Sequence, residues 1–251
     1  MRPLSYDDAR KVLKKLTGAR IVLIGGQAIN FWAEYYSSRV EELAAEAPFT
    51  SKDIDFCGAR EAVKECAQRL SAEFVLPKDF DPTPNTGAVI FVDDEGTERQ
   101  IDFLGRPFGL DEDDVFNTAI PANPADDEPD DAASKLLIMH PERCMESRIH
   151  NIIGLSDSSE KSLKQLRASV FCAREFQKDL IEDGYIRDAL TLNERIFQFC
   201  HYNLNGRVIH VRTGIDPFDA VVSHPALPVE FNTLRYPQMK QWLSERRKRI
   251  R

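Results

Sequence analysis

The sequence lacks the features of a membrane protein and of a disulfide-stabilised secreted domain. No segment approaches the roughly 18 to 20 consecutive apolar residues that a helix needs to cross a bilayer. The five cysteines are odd in number and widely spaced, without a C-x-x-C pair, and the N-terminus does not have the pattern of a signal peptide. We therefore expect reduced thiols, a cytoplasmic location and no membrane partner.

Zinc-ligand spacing and an overall positive charge are also missing. The five histidines and five cysteines are not spaced as zinc ligands are. The net charge is -8, so the surface as a whole repels nucleic acid, and RNA binding would require a local basic patch. Five of the six residues 246–251 are basic, whereas residues 111–131 contain nine acidic residues, three prolines and no Lys or Arg. The acidic segment indicates a short helix or strand followed by an exposed linker.

Hydrophobic patterning divides the 251 residues into two parts. Before the linker, strands are predicted at 21–24, 53–57, 88–92 and 99–104, between helices at 6–16, 26–47 and 59–70. After it, helices are predicted at 131–139, 141–153, 158–182, 186–203 and 239–249, with one short strand at 207–211. We therefore expect an α/β (α+β) domain with a small mixed sheet over residues 1–125. An all-helical domain ending in a basic helix would follow over residues 126–251.

Three aspartates lie on or beside the predicted strands. Asp53 and Asp55 are separated by one residue, so their side chains project from the same face of a strand. Asp102 lies between two apolar residues of a later strand and leaves it on the side opposite to them. Carboxylates gathered in this way repel one another unless a divalent cation neutralises them. The pattern predicts a metal site.

Gly25 and Gly26 follow the first buried strand and open a helix. Without Cβ atoms they allow a phosphate to approach the backbone, and the helix offers unpaired N–H groups and the positive end of its dipole. A tight strand–helix turn without any ligand is the alternative interpretation. Ser51, two residues before Asp53, is either a turn residue or a hydrogen-bond donor to phosphate.

These elements together resemble the nucleotidyltransferase superfamily, whose fold is that of polymerase beta. Its pattern is a strand, Gly-Gly or Gly-Ser, a helix, an Asp-x-Asp pair and a third Asp on a later strand. Gly25-Gly26, Asp53-Ile54-Asp55 and Asp102 match it in order. Gly25-Gly26-Gln27-Ala28 and Ser51-Lys52-Asp53-Ile54-Asp55-Phe56 look like the abortive-infection toxin branch, which serves in type IV toxin–antitoxin systems. The resemblance covers roughly the first half of the chain.

The resemblance implies transfer of a nucleoside monophosphate from an NTP to an acceptor hydroxyl, with two Mg²⁺ ions. Asp53 and Asp55 would hold both ions, and Asp102 would bind the ion nearest the acceptor and assist its deprotonation. The implied nucleotide-binding residues are Gly25, Gly26, Gln27, Ser51 and Lys52.

The branch also carries cationic residues in its helical half, for which the candidates here are Lys135 and Arg148. Lys135 is equally well a solvated helix residue, and Arg148 equally well a partner in a structural salt bridge. The basic residue that the branch places shortly before Asp-x-Asp has no close counterpart, because Arg39 lies well upstream.

By resemblance the acceptor is an RNA end, foremost tRNA, and the partner is a cognate antitoxin. A small molecule or a protein side chain is an alternative acceptor. A protein of the same fold that binds nucleotide, or a partner protein, without turnover is the alternative function.

Overall fold

The computed structural model describes residues 4–51, 53–93, 96–123 and 135–250. These residues form a mixed α/β structure with a seven-stranded mixed sheet, a separate two-stranded sheet and ten α-helices. The chain divides into two compact units. The first comprises Met1–Tyr35 and Ala47–Ser147, and the second comprises Tyr36–Glu46 and Arg148–Arg251.

The strands and α-helices of the described residues have the following bounds. The strands are β1 (Leu4–Ser5), β2 (Val22–Ile24), β3 (Thr50–Ser51), β4 (Ile54–Cys57), β5 (Glu73–Val75), β6 (Asn85–Val92), β7 (Glu98–Leu104), β8 (Ile120–Ala122) and β9 (Leu136–Ile138). The α-helices are α1 (Tyr6–Lys15), α2 (Gly25–Ser37), α3 (Glu41–Glu46), α4 (Arg60–Leu70), α5 (Glu112–Thr118), α6 (Pro141–Gly154), α7 (Glu160–Glu182), α8 (Ile186–Tyr202), α9 (Leu204–Thr213) and α10 (Tyr236–Arg247).

The strand order of the large sheet is β5-β6-β7-β4-β2-β9-β8. β4 is antiparallel to β2 and parallel to β7, whereas β9 is parallel to β2. Alternate residues of β4 and β7 are fully buried, and the rings of Phe56 and Phe103 lie with their centroids 5.6 Å apart. The residues that alternate with these buried ones along each strand project from the opposite face of the sheet. That face carries Asp55 and Asp102.

The prediction of a helix at 131–139 is wrong for the part that the structure describes. Leu136–Ile138 is strand β9, which pairs with β2 on one side and β8 on the other. Residues 124–134 lie outside the described ranges, and with them the second part of the acidic segment 111–131; its first part forms α5 and β8. A four-residue apolar run has too little length for its periodicity to separate a buried strand from a buried helix.

Two further predictions about local structure are wrong. The strand predicted at 207–211 lies within α9, which begins because the Asn203 side chain accepts hydrogen bonds from the N–H groups of Asn205 and Gly206. The helix predicted at 26–47 is two helices, α2 and α3, with a turn in which the N–H groups of Arg39 and Val40 both donate to Tyr36 O.

The second unit is built from helices that are held together by buried hydrogen-bonded side chains as well as by apolar ones. Asn193 in α8 is fully buried; its amide donates to Val222 O at 3.0 Å and accepts from Val222 N at 2.9 Å. This pair fixes the segment that follows the 3₁₀-helix Pro217–Ala220 against α8. A short π-helix, Phe231–Arg235, leads into α10.

Of the helices in the described residues, none is long and apolar enough to cross a bilayer.

Candidate active site

The strand register brings two of the three predicted metal ligands together. Asp55 of β4 and Asp102 of β7 are direct partners in a parallel pair, so their side chains leave the same face of the sheet on adjacent strands. Adjacent strands lie about 4.8 Å apart. Both residues are half-buried, and Asp102 Oδ1 accepts a 2.7 Å hydrogen bond from Gln100 Nε2. The pair forms a polar patch on a sheet face whose opposite side is core.

The glycine turn lies against this pair. Ile24, the last residue of β2, is the register partner of Asp55, and Gly25 follows it with φ +64°. A Cβ built on Gly25 would overlap Asp55 Oδ2 and would lie 3.2 Å from Asp55 Cγ and 3.3 Å from its Cβ. Glycine is therefore favoured at position 25 for two reasons: its backbone is left-handed, and the Asp55 carboxylate lies where a Cβ would be.

Helix α2 begins at this turn, and its first residues are buried. Gln27 is 0 % exposed, and its Oε1 accepts a 3.1 Å hydrogen bond from Asn30 Nδ2. Within the described part of the chain, Gln27 Nε2 has no hydrogen-bond partner. An amide that is buried without an acceptor is costly, by about 1–3 kcal/mol, so the Gln27 side chain is an energetic cost in this turn.

The third aspartate does not complete a metal-binding group in this structure. Asp53 is exposed and lies just before β4, outside the paired strand. Among residues 4–51, 53–93, 96–123 and 135–250, no three His, Cys, Asp or Glu side chains converge as the ligands of one ion do. The donor set itself fits Mg²⁺, because carboxylate oxygens are hard ligands and the pair on β4 and β7 supplies two of them side by side.

A second helix begins at the same edge of the sheet. Met139 N donates to Leu23 O at 2.9 Å, so the chain leaving β9 runs beside the end of β2, and α6 starts two residues later at Pro141. Trp32 Nε1 of α2 donates to Met139 O at 2.8 Å and ties the two helix starts together. The N-terminal turns of α2 and α6 thus both begin at the edge where Gly25 lies.

The first turns of α6 carry a buried charged cluster that the sequence patterns did not reveal. Glu142 is fully buried, and the Arg143 guanidinium contacts Glu142, Glu146 and Asp114. Burial alone would lower the pKa of Arg143, but Glu146, Glu142 and Asp114 raise it above its ordinary value. In the sequence, the sign of this cluster is that charged residues alternate with apolar residues in a segment that is otherwise part of the core.

The remaining predicted nucleotide-binding residues that the structure describes belong to other elements. Lys135 lies before β9, at the end of that strand opposite to Gly25, and its carbonyl accepts from Gly18 N at 2.9 Å. Arg148 belongs to the second unit, where its Nη1 lies 3.9 Å from Asp157 Oδ2, as the salt-bridge interpretation expects. Ser51 is in β3, paired with Leu4 of β1. Lys52 lies outside the described residues.

Comparison of the sequence with models of known protein families finds no match. None of the curated proteins matches it either.

Proposed function

We propose that this protein is a Mg²⁺-dependent nucleotidyltransferase that moves a nucleoside monophosphate from an NTP to an acceptor hydroxyl. The observation that carries the proposal is the placement of Asp55 and Asp102 as register partners, with Gly25 against the Asp55 carboxylate. Two carboxylates beside a glycine-opened helix N-terminus would provide metal ligands and a phosphate-binding backbone at one place.

The Asp55 and Asp102 carboxylates would hold the Mg²⁺, with Asp53 as the further ligand that the resemblance implies. When bound, the ions neutralise the phosphate oxygens and lower the pKa of an attacking hydroxyl. The side chains themselves supply negative charge at fixed positions, and the Gln100–Asp102 hydrogen bond orients the Asp102 carboxylate.

The start of α2 would bind the phosphates. Gly25 keeps the backbone accessible at its first residue, and the N–H groups of the first turn have no intrahelical acceptor. Gln27 belongs to the same turn and is the further nucleotide-binding residue that the resemblance implies. The arrangement favours an anionic ligand that enters along the carboxylate face.

By the resemblance, the acceptor would be an RNA end, foremost tRNA, in a toxin-like activity controlled by a cognate antitoxin. Transfer to a small molecule or to a protein side chain uses the same carboxylates and differs only in the acceptor.

The experiment is incubation of the protein with α-³²P-labelled NTPs, Mg²⁺ and total RNA. We expect label on RNA with the wild type, loss of at least a hundredfold in Asp55→Asn and Asp102→Asn, and no change in the matched control Asp113→Asn. Asp113 is an exposed acid of α5. Loss of one group that stabilises transition-state charge typically costs about 10²–10³ in rate. Transfer that persists in Asp55→Asn, or that is absent with RNA, small-molecule and protein acceptors alike, would contradict the proposal.

One observation favours a second function, the binding of nucleotide without turnover. The three aspartates do not form a complete metal-ligand group in the described residues, and an incomplete group can bind an NTP–Mg²⁺ complex without aligning it for attack. Calorimetry that detects NTP binding, together with an assay that detects no pyrophosphate release with any acceptor, would select this function.

A further inference from the structure

Helix α9 of the second unit has one face packed against α8 and one face that is exposed. Gly206 and Ile209 are buried on the packed face. A Cβ built on Gly206 would overlap Phe199 O of α8, so the two helix backbones lie close together at this point. The Asn203 side chain caps the first turn of α9. The helix is therefore held firmly in place while its other face remains available.

The exposed face carries a line of aliphatic side chains. Leu204 is 63 % exposed, Val211 is 55 % exposed, and Val208 between them is half-buried. Their spacing of i, i+4 and i+7 places them in one row along the helix. This is the spacing of successive d, a and d positions of a heptad, the row by which one helix packs against another. Adjoining exposed apolar residues with a polar rim mark interaction surfaces.

Arginines lie on both sides of this row. Arg207 and Arg212 occupy the flanking g and e positions. Residues 203–215 contain no Asp or Glu, and neither arginine pairs with a carboxylate in the part of the chain that the structure describes. Burial lowers the pKa of His201, and the nearby Arg246 and Arg207 lower it further, so a third arginine adds positive charge beside Arg207. The face is thus an apolar row between positive charges.

We infer that this face, the α9 seam formed by Leu204, Arg207, Val208, Val211 and Arg212, binds one α-helix of a partner protein. That helix would carry apolar residues at its own a and d positions and Asp or Glu at the e and g positions beside them. The arginines select the acidic flanks by charge complementarity, because flanking pairs decide which helices associate.

Other occupants would use only part of the seam. A second copy of this chain would place arginine against arginine, which opposes association. A nucleic acid would use the arginines but not the aliphatic row, because its phosphates bind cations and its bases stack on aromatic rings. The α9 helix has ten residues, a length of about 15 Å, which suits a transient interface. The inference does not depend on the proposed transferase activity.

The test is fluorescence anisotropy of labelled three-heptad peptides titrated with the full chain. The acidic peptide has Leu at a and d and Glu at e and g, and repulsion between the glutamates keeps it from pairing with itself. One control peptide has the same composition in an order without a heptad, and another has Lys in place of each Glu. We expect the acidic peptide to bind the wild type at least about tenfold more tightly than either control.

Substitutions in the seam should exchange this preference. The double variant Arg207→Glu, Arg212→Glu should weaken the acidic peptide about tenfold or more, because like charges would then face each other. The same variant should bind the Lys peptide, a gain that loss of folding could not produce. Leu204→Ala should weaken the acidic peptide about tenfold, as expected when a buried leucine is truncated.

Arg187→Glu is the matched control. Arg187 is an exposed arginine in the first turn of α8, at the opposite end of that helix from Asn203, and its replacement should leave peptide binding unchanged. Thermal unfolding measured by circular dichroism verifies that each variant is folded. Absence of binding of the acidic peptide, equal binding of the reordered peptide, or a folded double variant that does not prefer the Lys peptide would each overturn the inference. Loss of binding in Arg187→Glu would do so too.

A second arm tests the other occupants. Dimerisation in sedimentation velocity that Leu204→Ala abolishes would assign the seam to a second copy. Flotation with phosphatidylserine vesicles that both Leu204→Ala and the double variant abolish would assign it to a membrane surface. Binding of single-stranded RNA that the double variant abolishes and Leu204→Ala leaves intact would assign it to a nucleic acid. Each of these results would replace the partner helix and overturn the inference.

Discussion

Gly25→Ala is expected to destabilise the first unit through two separable effects. The native φ of +64° is costly for an L-residue, by about 1–2 kcal/mol. The new Cβ would also overlap the Asp55 carboxylate, and an atom forced into an occupied space typically costs about 1–3 kcal/mol. The two effects together predict a loss of about 2–5 kcal/mol in the free energy of unfolding.

Gly96→Ala isolates the backbone effect. Gly96 has φ +77°, and a Cβ built on it meets no atom of the described residues within 4 Å. Its replacement should therefore cost only about 1–2 kcal/mol. The difference between the two substitutions measures the contact with Asp55. In the Asp55→Ala background, Gly25→Ala should cost about 1–3 kcal/mol less than in the wild type, because the overlapping carboxylate is gone.

The fluorescence of Trp32 provides an assay that reports on the first unit. The chain has two tryptophans, of which Trp32 is buried in α2 and Trp242 is 42 % exposed in α10. In a Trp242→Phe background, urea unfolding followed at Trp32 gives the stability of the unit that contains Gly25 and Gly96. Equal losses for Gly25→Ala and Gly96→Ala, or no energetic coupling between Gly25 and Asp55, would refute the placement of the carboxylate against the turn.

Three further predictions concern buried groups. Asn193→Ala should cost about 2–4 kcal/mol, because it leaves both backbone groups of Val222 without their buried partner; a urea midpoint within error of the wild type would contradict this. Burial raises the pKa of Cys66 to about 12 from 9.0, so this thiol should resist a thiol reagent at pH 8 until urea unfolds the chain. The same shift means that its contribution to stability is present below pH 9.0 and is lost as the pH rises towards 12. Arg143→Met should lower the free energy of unfolding by about 3–5 kcal/mol at pH 7, because the substitution removes the guanidinium beside fully buried Glu142. Arg143→Lys, which keeps the charge, should lower it by less. The remaining carboxyls would then have raised folded-state pKa values, so the loss should shrink as the pH falls towards 4; a loss independent of pH would count against this account.

The sequence predicted the part of the candidate site that depends on local patterns. The buried β2 strand, the Gly25 turn and the strands that carry Asp55 and Asp102 all have strong short-range signals, namely apolar runs and period-two alternation. The pairing of Asp55 with Asp102 depends on which strands are neighbours in the sheet. The sequence indicated this strand order only through the resemblance to a known fold.

What the sequence did not predict depends on contacts between distant residues. β9 is a strand because Leu136–Ile138 pairs with β2, more than a hundred residues earlier. Three of the four residues 208–211 are β-branched, which favours a strand by propensity. The Asn203 cap and the packing of α9 against α8 override this preference. Lys135 is a candidate only through the resemblance, and a resemblance in the order of residues does not tell which end of a strand the residue occupies.

The edge strand β8 affects whether copies of this protein can associate by extending the large sheet. Among the described residues it forms one margin of the large sheet, and it contains Pro121, which has no N–H to donate. A strand from another chain could not form a continuous ladder along a margin interrupted in this way, so open-ended growth of the sheet is discouraged on that side. The opposite margin, β5, is only three residues long, which limits the register that any added strand could share with it.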